Sequence, residues 1–490
     1  MTLALPRLRH IATTPIALAA AALVAGVVAG VATVAVGPVP PLVAVVGIAA
    51  VLAILRDARA GLLAAVAVIC LLPYATIPVR VGLTLTLLEA ITLLAWGVLA
   101  LRMAYDRTET VVPTPLYAPL GLFVAATAVA FFAGAGRGTT VTVAHDYFKL
   151  LLAVSTVALV VQLLRSAREV GLLASALVMG GGVAGVIALA LQRLPVGTTV
   201  NLLARLRVVG YPTDRLVRYI EDNPELARRA TGTGVDPNSF AGFLMLALVL
   251  ATGQAAARRP LVPRPVALVS IPPVALALLL TQSRAAVLGA AAGVLVLAAV
   301  RYRRLLPVLA LGAAGVLLSG RGGGFAGRLA EGFRGEDAAT RLRFREFGNA
   351  LALIREYPVF GVGFGDAPRI DLQTGVSSVY LTVASRTGLV GAALFVALLG
   401  VLLWRLLGAA IRARTANGER GAAAELLLAV AAALAAACVT ATLDHYFFNL
   451  GFPHMVALFW LLAGMGEVLR REIETRTNHE DTKAQREQTM

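Results

Sequence analysis

Residues 170–192 read VGLLASALVMGGGVAGVIALALQ, without one charged side chain. About 20 apolar residues in helical form cross the hydrocarbon core of a bilayer, and this run is long enough to do so. A helix also satisfies its own backbone polar groups, as lipid demands. Comparable stretches lie on both sides of it, at roughly 15–36, 38–55, 60–79, 84–101, 116–134, 147–164, 238–256, 265–281, 285–300, 304–320, 376–404, 421–441 and 449–468. The expected fold is therefore all-α, a polytopic membrane helix bundle of about fourteen transmembrane helices.

The composition agrees. Of 490 residues, 59% are hydrophobic and 14% charged, against about 25% charged in a soluble domain. The mean hydropathy is +0.82. No soluble interior hides that much apolar surface. Ala, Val, Leu and Gly dominate, and small residues let membrane helices approach closely. The net charge of +16 is almost all arginine, since the lysines are Lys149 and Lys483 alone. In a membrane protein this points to anionic headgroups or phosphorylated substrates before nucleic acid. Cys70 and Cys438 sit inside apolar runs, so they read as packing residues, and no disulfide framework or zinc spacing is implied.

Arginine in the short connections sets the orientation. With the N-terminus in the cytoplasm, the cytoplasmic connections carry Arg56 and Arg59, Arg102 and Arg107, Arg165 and Arg168, Arg258, Arg259 and Arg264, Arg301, Arg303 and Arg304, and Arg405, Arg412, Arg414 and Arg420. The short connections near 37 and 442–448 carry none. Arg7, Arg9 and His10 before the first span resemble the opening of a signal peptide, but more spans follow, so an uncleaved anchor is expected. The chain then divides into N-terminal spans (1–192), an outer-face loop (193–237), spans 238–320, a large outer-face loop (321–375), C-terminal spans (376–468) and a disordered cytoplasmic tail (469–490). Both long loops are rich in arginine, including Arg228, Arg229, Arg341, Arg343 and Arg345. Solvated surface or headgroup contact explains any single one. Crowded on one face, they suit a polyanionic ligand, because the guanidinium fork matches phosphate oxygens.

Three motifs carry chemistry. Asp236-Pro237-Asn238 opens a span. Asp236 is placed to cap that helix, with Pro237 in its first turn, and the same helix N-terminus suits an anion. Thr281-Gln282-Ser283-Arg284 lies where one span ends and the next begins. Arg284 there either snorkels to headgroups or faces a polar site. The stretch ATRLRFREFGNALALIREYPVFGVGFG, 339–365, places Phe344, Phe347, Ala350, Leu351 and Ile354 at helical spacing, the pattern of an amphipathic helix at a membrane surface. Pro358 ends it, and Gly361, Gly363 and Gly365 allow close backbone approach.

In this order and spacing, the three motifs resemble those of the O-antigen ligase and O-antigen polymerase superfamily. The matching positions are Asp236-Pro237-Asn238, Thr281 to Arg284, Arg343 with Phe347, Ala350-Leu351, and Pro358 to Gly365. The resemblance covers about 236–400. It implies a metal-independent, cofactor-free membrane glycosyltransferase in a bacterial inner membrane. Such an enzyme moves a glycan from undecaprenyl diphosphate to a hydroxyl on lipid A core, another glycan or a protein, on the outer face. Arg284 and Arg343 are then catalytic, stabilising the diphosphate leaving group. Asp236, Asn238, Ser283, Arg341, Arg345, Gly361, Gly363, Gly365, Ser377 and Tyr380 are expected to bind substrate.

One departure stands out. Ligases of this family follow the glycine loop with His-Asn-x-Tyr-Leu and a Gly-Leu-x-Gly helix; this chain has Ser377-Ser378-Val379-Tyr380-Leu381, then Gly388-Leu389-Val390-Gly391, so Tyr380 and the glycines match but the histidine does not. The absent histidine is the expected acceptor base, which favours a polymerase or divergent transferase. His445, beside Asp444 in the turn before the last span, is the first substitute. Asp236 and Glu346 are alternatives. Structural roles compete for His445, for His454 and for the pair His145 and Asp146. A lipid-linked oligosaccharide flippase is the rival reading, but no repeated halves are visible. A catalytically silent assembly protein is a third.

Overall fold

The computed structural model describes residues 39–77, 83–106, 109–318, 338–365 and 376–488, with isolated positions 327 and 334. The stretch 15–36 and the loop arginines Arg321, Arg328 and Arg369 lie outside the described residues. Fifteen α-helices are present: α1 (Val39–Arg56), α2 (Arg59–Leu71), α3 (Leu87–Tyr105), α4 (Tyr117–Ala133), α5 (Val141–Leu163), α6 (Ala167–Arg193), α7 (Val196–Ala204), α8 (Pro237–Ala256), α9 (Arg264–Leu280), α10 (Arg284–Val300), α11 (Leu306–Leu318), α12 (Ala338–Glu356), α13 (Val379–Arg412), α14 (Gly418–Thr440) and α15 (Pro453–Gln488). By length and composition, six are able to cross a membrane: α3, α5, α6, α8, α13 and α14. α1, α2, α4, α9 and α10 are apolar but shorter. The chain is a polytopic helical membrane protein.

Local chemistry explains the helix starts. Thr86 with Glu89, and Ser166 with Glu169, form capping boxes at α3 and α6. Asp236 accepts from the backbone N–H groups of Asn238 and Ser239, and Pro237 opens α8. Two expectations are corrected. The stretch 60–79 is helical only to Leu71, because Pro73 biases Leu72 to extended backbone. The tail continues α15 to Gln488 instead of being disordered, and ion pairs Arg470–Glu467 (2.6 Å) and Arg476–Glu472 (3.0 Å) support its continuation.

The bundle packs through small residues. α5 lies on α15, α6 on α9, α10 on α14, and α8 against both α9 and α14. A Cβ added at Gly181 would meet the Ala247 Cβ at 2.7 Å, and one at Gly253 would meet the Ala429 Cβ at 2.7 Å. The backbones therefore touch where lipid gives helices no hydrophobic drive to associate. α14 is buried almost throughout, from Ala423 to Leu434. Some arginines of the short connections are paired: Arg301 with Glu425 at 2.8 Å, and Arg405 with Glu467 at 3.4 Å.

α13 is broken near its start. Gly388 has φ 69° and ψ −175°, a conformation open to glycine alone. The glycine loop after α12 stitches this break. Val362 N–H donates to Ser385 O, Gly363 N–H to Arg386 O, and Leu389 N–H to Pro358 O, at 2.7–2.9 Å. Backbone groups freed by the break are satisfied by protein, as irregular backbone in a membrane requires.

Candidate functional site

The inner face of α12 builds one wall. Thr340, Ala350 and Leu353 are buried there, with Arg343, Glu346, Phe347 and Tyr357 partly buried between them. These positions follow the i, i+3, i+7 spacing of one helix face. Phe344 and Leu351, expected on that face, are instead 61% and 46% exposed. Arg341 and Arg345 share the outer side with them.

Arg284, at the first turn of α10, donates to the Thr340 hydroxyl at 3.4 Å. Thr340 lies one turn before Arg343, so Arg284 contacts the face of α12 that carries Arg343. Glu346 accepts from Ser377 N–H at 2.9 Å and fixes the entry to α13.

Arg343 also acts on the α14–α15 turn. Asp444 is 4% exposed. One carboxylate oxygen accepts from His445 N–H at 2.9 Å. The other is buried without a hydrogen-bond partner among the described residues. Burial pushes the Asp444 carboxyl above the usual carboxylate range, and the charges of His445 and Arg343 oppose that rise. The Asp236 charge adds to it. Asp236, Arg343 and Asp444 thus act on one another. Tyr446 joins them: burial, then Asp444 and Asp236, push its phenol well above its ordinary value. Its ring packs where a Cβ on Gly242 of α8 would sit, 2.2 Å from Cε2.

Arg229 ties the first long loop to this site. It ends the hairpin of β1 (Arg218–Tyr219) and β2 (Arg228–Arg229), where Arg218 pairs with Arg229. Its guanidinium donates to Asn238 Oδ1 at 2.6 Å and to Thr281 O at 2.7 Å. One side chain therefore joins the two motifs that open α8 and precede α10. Neither its spacing nor its context distinguishes Arg229 from the other loop arginines.

The remaining expected residues are placed as follows. Asn238 is held by Arg229. Ser283 is buried, and its N–H donates to the Thr281 hydroxyl at 3.2 Å. His445 Nδ1 lies 3.8 Å from Asp444 Oδ1, while the ring stacks on Phe452 and approaches Asn449. Tyr380 is not brought to the arginines: its hydroxyl donates to Cys438 O at 3.0 Å, inside the α13–α14 packing. Gly361, Gly363 and Gly365 do make close backbone approach, but to the protein itself. Added Cβ atoms would meet Arg386 O at 2.4 Å, Gly134 Cα at 2.7 Å and Arg137 O at 2.3 Å.

Residues 265–396 match the family model described as O-antigen ligase. Over that segment the chain is similar to the O-antigen ligase family. Arg284, Arg343, the glycine loop, Ser377 and Tyr380 lie within the matched O-antigen ligase segment, while Arg229, Asp236, Asp444 and His445 lie outside it. The similarity supports a ligase or polymerase role in cell-envelope polysaccharide synthesis, through a membrane glycosyltransferase-like activity. A solved structure titled "Structural coordination of polymerization and crosslinking by a peptidoglycan synthase complex" aligns at 22% identity and a TM-score of 0.40, covering 73% of this chain and 97% of that chain. No curated protein matches the chain.

Proposed function

We propose that this protein is a polysaccharide polymerase or ligase that moves a glycan from a polyprenyl diphosphate carrier, undecaprenyl diphosphate in bacteria, to an acceptor hydroxyl. The observation that carries the reading is the contact of Arg284 with Thr340, on the face of α12 that also bears Arg343, whose charge acts on the buried Asp444 carboxyl. The arginines bind the diphosphate. As the bond from the anomeric carbon to the diphosphate oxygen breaks, the electron pair stays on the diphosphate, and the two guanidinium groups stabilise it. The acceptor oxygen forms the new glycosidic bond, and its proton passes to Asp444. The Asp444 oxygen without a hydrogen-bond partner among the described residues is the acceptor for that proton, with the His445 ring beside it. Arg229 positions both flanking motifs and needs no contact with the reacting atoms.

The arginine pattern of the short connections supports about fourteen crossings, cytoplasmic termini and an outward-facing site. The direct test is transfer by purified protein from a labelled polyprenyl diphosphate glycan. Product that forms with wild type and is lost with Arg343→Ala sustains the reading. Equal product from both removes it.

A further inference from the structure

A second group of cations sits on the other side of the glycine loop, and the reaction proposed above does not use it. Arg386 lies two turns into α13, about 10 Å along the helix from Val379 by the helical rise. Its guanidinium stacks over Phe364, 5.6 Å from the ring centroid. Among the described residues it makes one long hydrogen bond, 3.4 Å to Phe364 O, and no ion pair. A guanidinium carries five N–H donors, so most of its capacity is open. Arg137, in the α4–α5 turn, donates to Val362 O at 3.3 Å and lies 4.3 Å over the Tyr357 ring, again without an ion pair among the described residues. Lys149, partly buried in α5, pairs with Asp146 at 2.9 Å, and Asp146 is the charge that acts on Arg386. Lys149 and Arg386 thus share the Asp146 carboxylate, and Arg137 and Arg386 both reach backbone carbonyls of the glycine loop.

Phe132, Phe148, Val359, Phe360 and Leu389, neighbours in sequence of these groups, are all exposed and apolar. A cation this far along an apolar helix is costly unless an anion or polar groups meet it. Free guanidinium donors beside exposed apolar side chains fit an anionic head on an apolar tail.

We infer that Arg137, Lys149 and Arg386 form a second binding site, for the phosphate of a lipid. The phosphate takes the open donors of Arg386 and Arg137, and the tail lies along the exposed apolar side chains. This inference stands apart from the transferase reading, because it needs only a membrane and a lipid phosphate. A bulk anionic phospholipid and a polyprenyl phosphate share that chemistry.

The test uses the full chain in phosphatidylcholine nanodiscs doped with either phosphatidylglycerol or a polyprenyl monophosphate. Native mass spectrometry then counts retained lipid. Wild type is expected to retain the doped lipid, and Arg386→Gln and Arg137→Gln to retain about 10- to 100-fold less, the scale of one charge-assisted bond. Any binding at Arg284 and Arg343 contributes equally to every sample. Loss seen with the polyprenyl phosphate alone identifies the carrier as ligand, and loss with both lipids identifies a general lipid-phosphate site. Either supports the inference. Retention equal to wild type in the variants, with both lipids, overturns it. Should Arg386→Gln fail to fold, Arg137→Gln decides the matter, since its side chain lies in a turn outside the helices.

Discussion

Arg284 at the start of α10 donates to Thr340 in the first turn of α12 across 3.4 Å, and this bond brings two motifs far apart in sequence onto one face. Its consequence concerns the arginine pair. Each charge-assisted bond to a diphosphate is worth about 1.5–3 kcal/mol. Arg284→Ala and Arg343→Ala should each lower the transfer rate by roughly 10- to 100-fold or more, since 1.4 kcal/mol is tenfold. Lysine should restore little, because one ammonium lacks the bidentate fork. Transfer rates of purified variants at matched membrane expression check this. Full activity in either alanine variant removes the phosphate role.

Arg229 gives a different expectation. It contacts Asn238 and Thr281 within the protein, so it should matter to stability and activity together. Arg229→Ala should lower Tm in detergent by an amount set by two charge-assisted bonds, about 1.5–3 kcal/mol each at most. Arg229→Lys should recover part of that, and Arg284→Ala should leave Tm closer to wild type. A thermal-shift series on the three variants measures it. An unchanged Tm in Arg229→Ala would mean that the loop holds without this link.

The membrane helices were legible because hydropathy and caps act locally: Asp236 and Pro237 mark the start of α8 as read. The site was legible only in part. Arg284 and Arg343 stand out by motif, and Arg284 contacts Thr340 one turn before Arg343. Tyr380 matched the motif too, yet its hydroxyl is taken by Cys438, a contact between helices that no local pattern encodes. Asp444 was passed over for its neighbour His445, because an ionisable turn residue reads as solvated until α8 and α12 close over it. The glycine loop read as a ligand cradle, whereas its partner is the broken helix α13. That break depends on Gly388, whose Gly388-Leu389-Val390-Gly391 motif reads in sequence as an unbroken helix.

Gly388 therefore carries a prediction of its own. Its φ of 69° disfavours any L side chain, and an added Cβ would sit 2.1 Å from Val359 O. Gly388→Ala should cost about 1–3 kcal/mol from backbone strain, with more from the clash. Gly400, further along α13, has nothing within 4 Å of an added Cβ, so Gly400→Ala should be nearly silent. Tm values of the pair test the stitched break, and similar values for both would argue against it.

Orientation is testable with single cysteines in a background where Cys70 and Cys438 are replaced by alanine. Asp214, exposed in the first long loop, and Arg258, exposed between α8 and α9, should lie on opposite sides of the membrane. An impermeant maleimide added to intact cells should label Asp214→Cys and spare Arg258→Cys. The reverse pattern would invert the topology and move the proposed site to the cytoplasm.

The last prediction concerns Asp444, whose folded pKa lies above its unfolded value, about 3.9 for a free aspartate, because burial disfavours the charge. The fold thus favours the neutral acid. The stability that follows is fully present below about pH 4 and is lost as pH rises through the folded pKa. Once ionised, the buried carboxylate is a burden on the folded state, lightened by Arg343 and His445. Asn cannot ionise, so Asp444→Asn should melt at a higher temperature than wild type at pH 7, and the gap should close as pH falls toward about 4. Activity should move the other way. A base must be ionised to accept the hydroxyl proton, so the wild-type rate should fall with acid through the raised pKa. Asp444→Asn should be slower by about 100-fold or more, the lower end for a general base. Tm and transfer rate measured on the same two proteins at several pH values separate the claims. A variant that gains Tm but keeps its rate leaves Asp444 buried and charged without a catalytic part, and His445→Ala becomes the next measurement. A variant that gains no Tm at pH 7 contradicts the buried charge itself.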